Sequence, residues 1–208
     1  MRGSMVYDFL GGIEYPGYMQ IPLVPLGRWL LGLALILFIA GVWLGERRSI
    51  SILEQVRYGS RKRWWNAQFW KVFLVGAAGC LCYRLFMGSL DYWFQLPRLE
   101  VSKGMLLLIL WLVHMEVLVS LLCILDTTQL RGIAPAFLSL IELLTFSIGF
   151  FNWGLAKFMF GNWGMYVQSN KVEPEYGFSP SVVLVLECLL IVAAWKGGMA
   201  LIGRKKNL

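Results

Sequence analysis

The sequence predicts an all-α, polytopic helical membrane protein of about five transmembrane helices, and three observations predict it. The chain is 58% hydrophobic and only 15% charged over 208 residues, with a mean hydropathy of +0.64; a soluble domain of this length cannot cover that much apolar surface. Five apolar runs, at about 27–45, 69–90, 104–125, 133–151 and 182–203, are long enough to cross a hydrocarbon core of roughly 30 Å. The basic residues cluster in the connections that a five-span chain places on one side. With the N-terminus outside, the inner segments hold Arg47, Arg48, Arg57, Arg61, Lys62, Arg63, Lys71, Arg131, Arg204, Lys205 and Lys206. The outer ones hold Arg2, Arg28, Arg98, Lys103, Lys157 and Lys171. Lys and Arg near span ends resist translocation, so the expected topology is N-out and C-in, in a cell (inner or plasma) membrane.

Residues 1–26 contain Asp8, Glu14, Pro16, Pro22 and Pro25 and no apolar region behind a basic start. They read as an irregular external or interfacial segment, not a cleavable signal peptide. Met-Arg-Gly-Ser before Met5 is either a leader or the native start. The remainder, 27–208, forms a single transmembrane domain. Trp29 and Trp43 mark the two ends of the first span as aromatic anchors.

The basic stretch Glu46 to Lys71 follows. Ser51 and Glu54 have capping-box spacing, in which hydroxyl and carboxylate satisfy free N–H groups at a helix start. That helix runs to Tyr58 and stops at Gly59, suited to a left-handed C-cap. Ser60 then caps a second helix that starts at Arg61 and continues into the bilayer. After the second span, Asp91 to Lys103 contains Pro97 and mixed charges and reads as a loop. Asp126 to Gly132 is a tight polar turn between the third and fourth spans. The longest connection, Asn152 to Ser181, opens with NWGLAKFMFGNWGMYV, apolar and aromatic but broken by glycines. It suits an outer re-entrant or interfacial segment, followed by a polar loop.

The net charge of +7 is explained by the basic stretch and the basic tail, which suit anionic headgroups, so no nucleic-acid partner is expected. Cys80, Cys82, Cys123 and Cys188 all lie in apolar runs and read as buried packing residues without a disulfide framework or zinc spacing.

Charges at membrane depth are costly, so Arg84, His114, Glu116, Glu142 and Glu187 are candidate functional residues, with Lys196 close enough to a span end to snorkel. Arg84 and Glu116 could pair between the second and third spans. Glu142 and Glu187 are candidates for a polar seam, a substrate contact or a subunit contact. His114 and Glu116 are two apart and face different ways, and there is no second imidazole, so no metal site is expected. No nucleotide-binding loop, zinc-protease motif, nucleophile elbow or intramembrane serine site is present, so no catalytic residue and no cofactor are expected.

Ser49 to Tyr58 (SISILEQVRY), with Gly59 to Arg63 (GSRKR) and Lys71, resembles the cytoplasmic coupling helix and basic span entry of ABC-2-type permeases. The order of the later spans fits as well, so 27–208 is similar to spans two to six of the six-span plan. Residues 1–26 supply no counterpart to the family's first span, so the chain is expected to be N-terminally shortened or a reduced form. The resemblance implies a non-catalytic permease subunit of an exporter, coupled through Ser51, Glu54, Arg57 and Tyr58 to a separate cytoplasmic ABC ATPase. One copy holds too few spans to enclose a pathway, so a homodimer or a paired second permease is expected. The alternatives are a plain loop lying on headgroups, within a non-transport accessory or assembly subunit of a membrane complex.

Overall fold

The computed structural model describes residues 4–14, 22–48, 51–97 and 99–204. Nine α-helices occur among them: α1 Met5–Leu10, α2 Leu23–Arg48, α3 Ser51–Tyr58, α4 Arg61–Trp93, α5 Val101–Asp126, α6 Ala134–Phe151, α7 Trp153–Ala156, α8 Phe160–Trp163 and α9 Pro180–Arg204. Short 3-10 turns cover Gln129–Gly132 and Tyr166–Gln168. No strand occurs among the described residues; Ser169 and Phe178 form a single bridge. Five helices, α2, α4, α5, α6 and α9, are long and apolar enough to span a membrane, as a multi-pass membrane protein requires.

Each spanning helix except α5 buries one stripe. On α2 the buried residues are Leu26, Trp29, Leu33, Ile36, Leu37, Ala40 and Leu44, at steps of three and four. On α6 they include Ala134, Leu138, Glu142 and Phe146, and on α9 Val183, Glu187, Ala194 and Ile202. These spacings keep one face inward over successive turns. The central helix is α5, whose most apolar window is 67% buried, against 22% to 39% for the other four. It packs against α2, α4, α6 and α9, and a helix enclosed on all sides needs no polar face. Packing between α4 and α9 is pinned by the indoles: Trp65 Nε1 donates to the Trp195 carbonyl at 3.1 Å, and Trp195 Nε1 to Asn66 Oδ1 at 2.9 Å. Gly198 leaves room for the Trp65 ring, since a Cβ there would lie 2.0 Å from Cζ2.

The N-terminal segment differs from its reading as irregular and peripheral. Residues 5–10 are helical, and Val6, Leu10 and Ile13 are fully buried. The reason is a cap from a distant part of the chain. Asp91, near the end of α4, accepts from Ser4 Oγ at 2.6 Å and from the backbone N–H groups of Met5 and Val6 at 2.5 and 3.3 Å, satisfying donors a six-residue helix cannot satisfy itself. The first span also starts earlier, at Leu23. Helix α4 extends to both sides of the expected 69–90, so only 94–100 remains outside helices in the expected loop, whose Arg98 lies outside the described residues. Of the four cysteines, Cys80 and Cys123 are buried as expected, whereas Cys82 and Cys188 are exposed.

Beyond α6 the chain folds back. The Phe160–Trp163 turn of α8 packs on α6 with Gly161 against Glu142. Glu142 lies nine residues before the end of α6, so the segment returns about 13 Å along that helix. The segment is held by Gly161 N–H donating to Thr145 Oγ1 at 2.9 Å and Asn162 Nδ2 donating to the Ala156 carbonyl at 2.9 Å. Next along the chain, Val167 N–H donates to the Gly11 carbonyl at 3.0 Å and Gln168 Nε2 to the Ile13 carbonyl. Met165 packs flush on Gly12, whose φ of +96° and lack of a Cβ allow the approach.

Candidate functional site

Two groups of residues stand out: a cluster inside the bundle and the short helix α3 at its basic end.

The inner cluster is built on His114, midway along α5. Glu142 from α6 and Glu187 from α9 both lie on the buried stripes of their helices, and both reach the imidazole. Nδ1 lies 2.6 Å from Glu187 Oε1, and Nε2 is in hydrogen-bond contact with Glu142 Oε1. All three side chains are at most 1% exposed. The ring is covered by Phe160, with centroids 4.7 Å apart, and by Gly164, where a Cβ would lie 2.7 Å from ring carbons. The returning segment is thus the lid of the cluster.

Its chemistry follows from proton counting. A neutral imidazole has one N–H, so hydrogen bonds at both nitrogens need two protons in total. Either an imidazolium donates to two carboxylates, or a neutral ring donates to one carboxylate and accepts from a protonated carboxyl. The cluster carries one negative charge in both arrangements. Glu142 Oε2 and Glu187 Oε2 have no hydrogen-bond partner.

The sequence nominated these residues singly, and the structure joins three of them. Glu142 and Glu187, the candidates for a polar seam, a substrate contact or a subunit contact, both meet the imidazole of His114. Glu116 points elsewhere, as its two-residue offset from His114 requires: its carboxylate, 1% exposed, sits against Gly76, and neither oxygen is hydrogen-bonded among the described residues. Arg84 does not pair with it. Arg84 lies instead along a cavity of ≈ 630 Å³ at the opposite end from the basic stretch, with Asp91 and Glu100. Lys196 is exposed, with its Nζ 4.4 Å from the Trp195 ring centroid. Among the described residues no group of His, Cys, Asp or Glu could hold a metal ion. The sequence reading missed Phe160, Gly161 and Gly164; the glycines of FGNWG were the available signal, since each permits an approach closer than a Cβ allows.

At the basic end, α3 ends at Gly59 with φ +66°, and Ser60 Oγ accepts from the Arg63 N–H at 3.2 Å, as the spacing predicts. The Ser51 half of the capping box lies outside the described side chains. Glu54 contacts the two helices beside α3. Its carboxylate accepts from Arg47 at 2.9 Å and from Trp64 Nε1 at 3.4 Å. Tyr58 OH accepts from Lys71 Nζ at 3.3 Å. Glu54 and Tyr58 therefore face the bundle and hold α3 to α2 and α4. The outward side carries Leu53, 73% exposed, Val56, 77% exposed, and Arg57. The i, i+3 spacing of Leu53 and Val56 beside charged neighbours was the signal for that face.

No protein-family model, no curated protein and no solved structure matches this chain.

Proposed function

We propose that this chain is the membrane-spanning permease subunit of an ABC-2-like exporter, with α3 as the helix that a separate cytoplasmic ATPase subunit grips. The observation that carries the reading is the two-sided character of α3: Glu54 and Tyr58 tie it inward, and Leu53, Val56 and Arg57 stand outward. A helix of eight residues with two exposed aliphatic side chains and one cation offers a partner a small apolar contact with a charged rim. The basic end is then cytoplasmic, the N-terminus outside, and Asn152 to Ser181 an outer re-entrant segment. Force on α3 passes through Arg47–Glu54–Trp64 into α2 and α4, and α4 continues unbroken for 33 residues across the bilayer. Chemistry stays with the partner, which hydrolyses ATP. A second copy or a paired permease completes the pathway. The ATPase-contact set shifts from Glu54 and Tyr58 towards Leu53, Val56 and Arg57.

The rival reading is an accessory or assembly subunit of a membrane complex. It is favoured by the sparse cover of α9, which leaves Val182, Val185 and Leu189 exposed for a partner's spans. Co-purification separates the two. Wild type is co-expressed with the neighbouring ATPase and compared with a Leu53→Ser, Val56→Ser, Arg57→Glu variant. Stoichiometric ATPase on wild type, lost in the variant at unchanged thermal midpoint, supports the permease. An ATPase absent from well-folded wild type removes it for that pair and leaves the accessory subunit.

A further inference from the structure

At the basic end a cavity of ≈ 320 Å³ opens between the ends of α2, α4, α5 and α9, directly behind α3. Three arginines line it, Arg47, Arg61 and Arg131, against one acid, Asp126. Glu54 offsets Arg47 from just outside, and neither Arg61 nor Asp126 is free. Arg131, exposed on the 3-10 turn between α5 and α6, therefore supplies the surplus charge at the mouth. The walls change character with depth. Leu44, Phe69 and Ile202 give an apolar floor, all at most 7% exposed. Gln68 also lines the cavity. It is 7% exposed.

We propose that this cavity binds a phosphate-bearing anion, with the headgroup of an anionic phospholipid as its source. Guanidinium groups recognise phosphate oxygens through paired N–H donors. The Gln68 amide adds a neutral donor deeper in. The position is where headgroups lie, at the ends of spanning helices, and basic pockets between such helices are a recurrent form of headgroup site. The volume sits at the small end of the ~300–1,000 Å³ range of ligand pockets, room for a headgroup and the first carbons of its chains against Leu44, Phe69 and Ile202. A free phosphate ester satisfies the same donors but leaves the apolar floor unused. This site depends on neither reading of the protein's function, although its occupant would sit under α3 and stiffen its mounting on the bundle.

The test uses the full chain in phosphatidylcholine nanodiscs, with phosphatidylglycerol added at a few per cent. Lipid retained on the protein is measured by native mass spectrometry. Wild type is expected to retain phosphatidylglycerol over phosphatidylcholine, and Arg131→Gln to weaken that retention about tenfold through loss of a charge-assisted contact. Gln68→Leu is a second variant, expected to weaken retention with the cavity's shape kept. Lys157→Gln, on the distant connection, is expected to change nothing. Inorganic phosphate is added in a parallel arm. Displacement of lipid by millimolar phosphate would keep the site and make a soluble phosphate compound its ligand. Equal retention in wild type, Arg131→Gln and Gln68→Leu, or no preference for phosphatidylglycerol and no effect of phosphate, overturns the proposal.

Discussion

Glu187 Oε1 stands 2.6 Å from Nδ1 of His114, although the two residues are 73 positions apart in the chain. Together with Glu142 on the other ring nitrogen, this contact ties α5, α6 and α9 at a single point. Removing the middle member leaves two buried carboxylates with no shared donor. His114→Leu is expected to cost about 3–5 kcal/mol, the range for breaking a buried ion pair from one side. Replacing all three by leucine is expected to recover most of that loss, because the desolvation of charge disappears with the charges. Thermal unfolding of the purified chain checks both; a triple variant no better than the single one removes the electrostatic account.

Glycines on the lid give a steric prediction. A Cβ at Gly164 would sit 2.7 Å from the His114 ring, and one at Gly161 would sit 2.5 Å from the Glu142 carbonyl oxygen. Gly164→Ala and Gly161→Ala are each expected to cost about 1–3 kcal/mol by overpacking. Gly197→Ala, with nothing within 4 Å, is expected to stabilise by up to about 1 kcal/mol through helix propensity. Parallel thermal midpoints of the three variants decide it, and equal shifts would mean the lid is not seated on the cluster.

Glu54 fastens α3. The Arg47–Glu54 pair is partly exposed and its contribution is small, about 0.2–1 kcal/mol. Local opening magnifies small terms, since cleavage at an internal site follows the population of the opened form. Glu54→Ala is expected to raise the rate of tryptic cleavage at Arg57 by about two- to fivefold at an unchanged global midpoint. An unaltered rate would show that α3 is held by something other than Glu54.

Tyr7 gives the alkaline behaviour of the N-terminal segment. Burial first, and then the Glu14 carboxylate that accepts from its hydroxyl at 3.3 Å, push the phenol up to about 12 from 10.0. The folded chain thus favours the protonated phenol. The stability this gives is fully present below pH 10 and is lost as pH rises towards 12. Tyr7→Phe is expected to lose less stability than wild type over that interval. The same slope in both proteins would locate the alkaline loss elsewhere.

Much of the architecture was written in local pattern. The five apolar runs, the stop at Gly59 and the Ser60 cap depend on a few neighbouring residues; all five runs are helical, the first two in helices longer than read, and the stop and the cap are where the spacing put them. Even Glu142 sits on a legible stripe, four residues from Leu138 and from Phe146. What could not be read is which stripe meets which. Helix α5 is apolar on every side, so its sequence carries no marker of the direction in which His114 points, and pairing across 28 and 73 positions leaves no periodic trace. Asp91 was hidden for the same reason, a cap donated to α1 from more than eighty residues away. Glu54 fitted a capping box by spacing, and its contact with Trp64 across the turn at Gly59 left no mark in that pattern.

Time enters through the order in which the ribosome delivers these helices. His114 leaves it 73 residues ahead of Glu187, an interval of roughly 4–15 s at about 5–20 residues per second. Throughout that interval α5, the helix that ends up most enclosed, has an imidazole and a carboxylate without their final surroundings. Glu142 reaches it first, the lid segment next and Glu187 last. The cluster is completed only when α9, the last of the described helices, emerges.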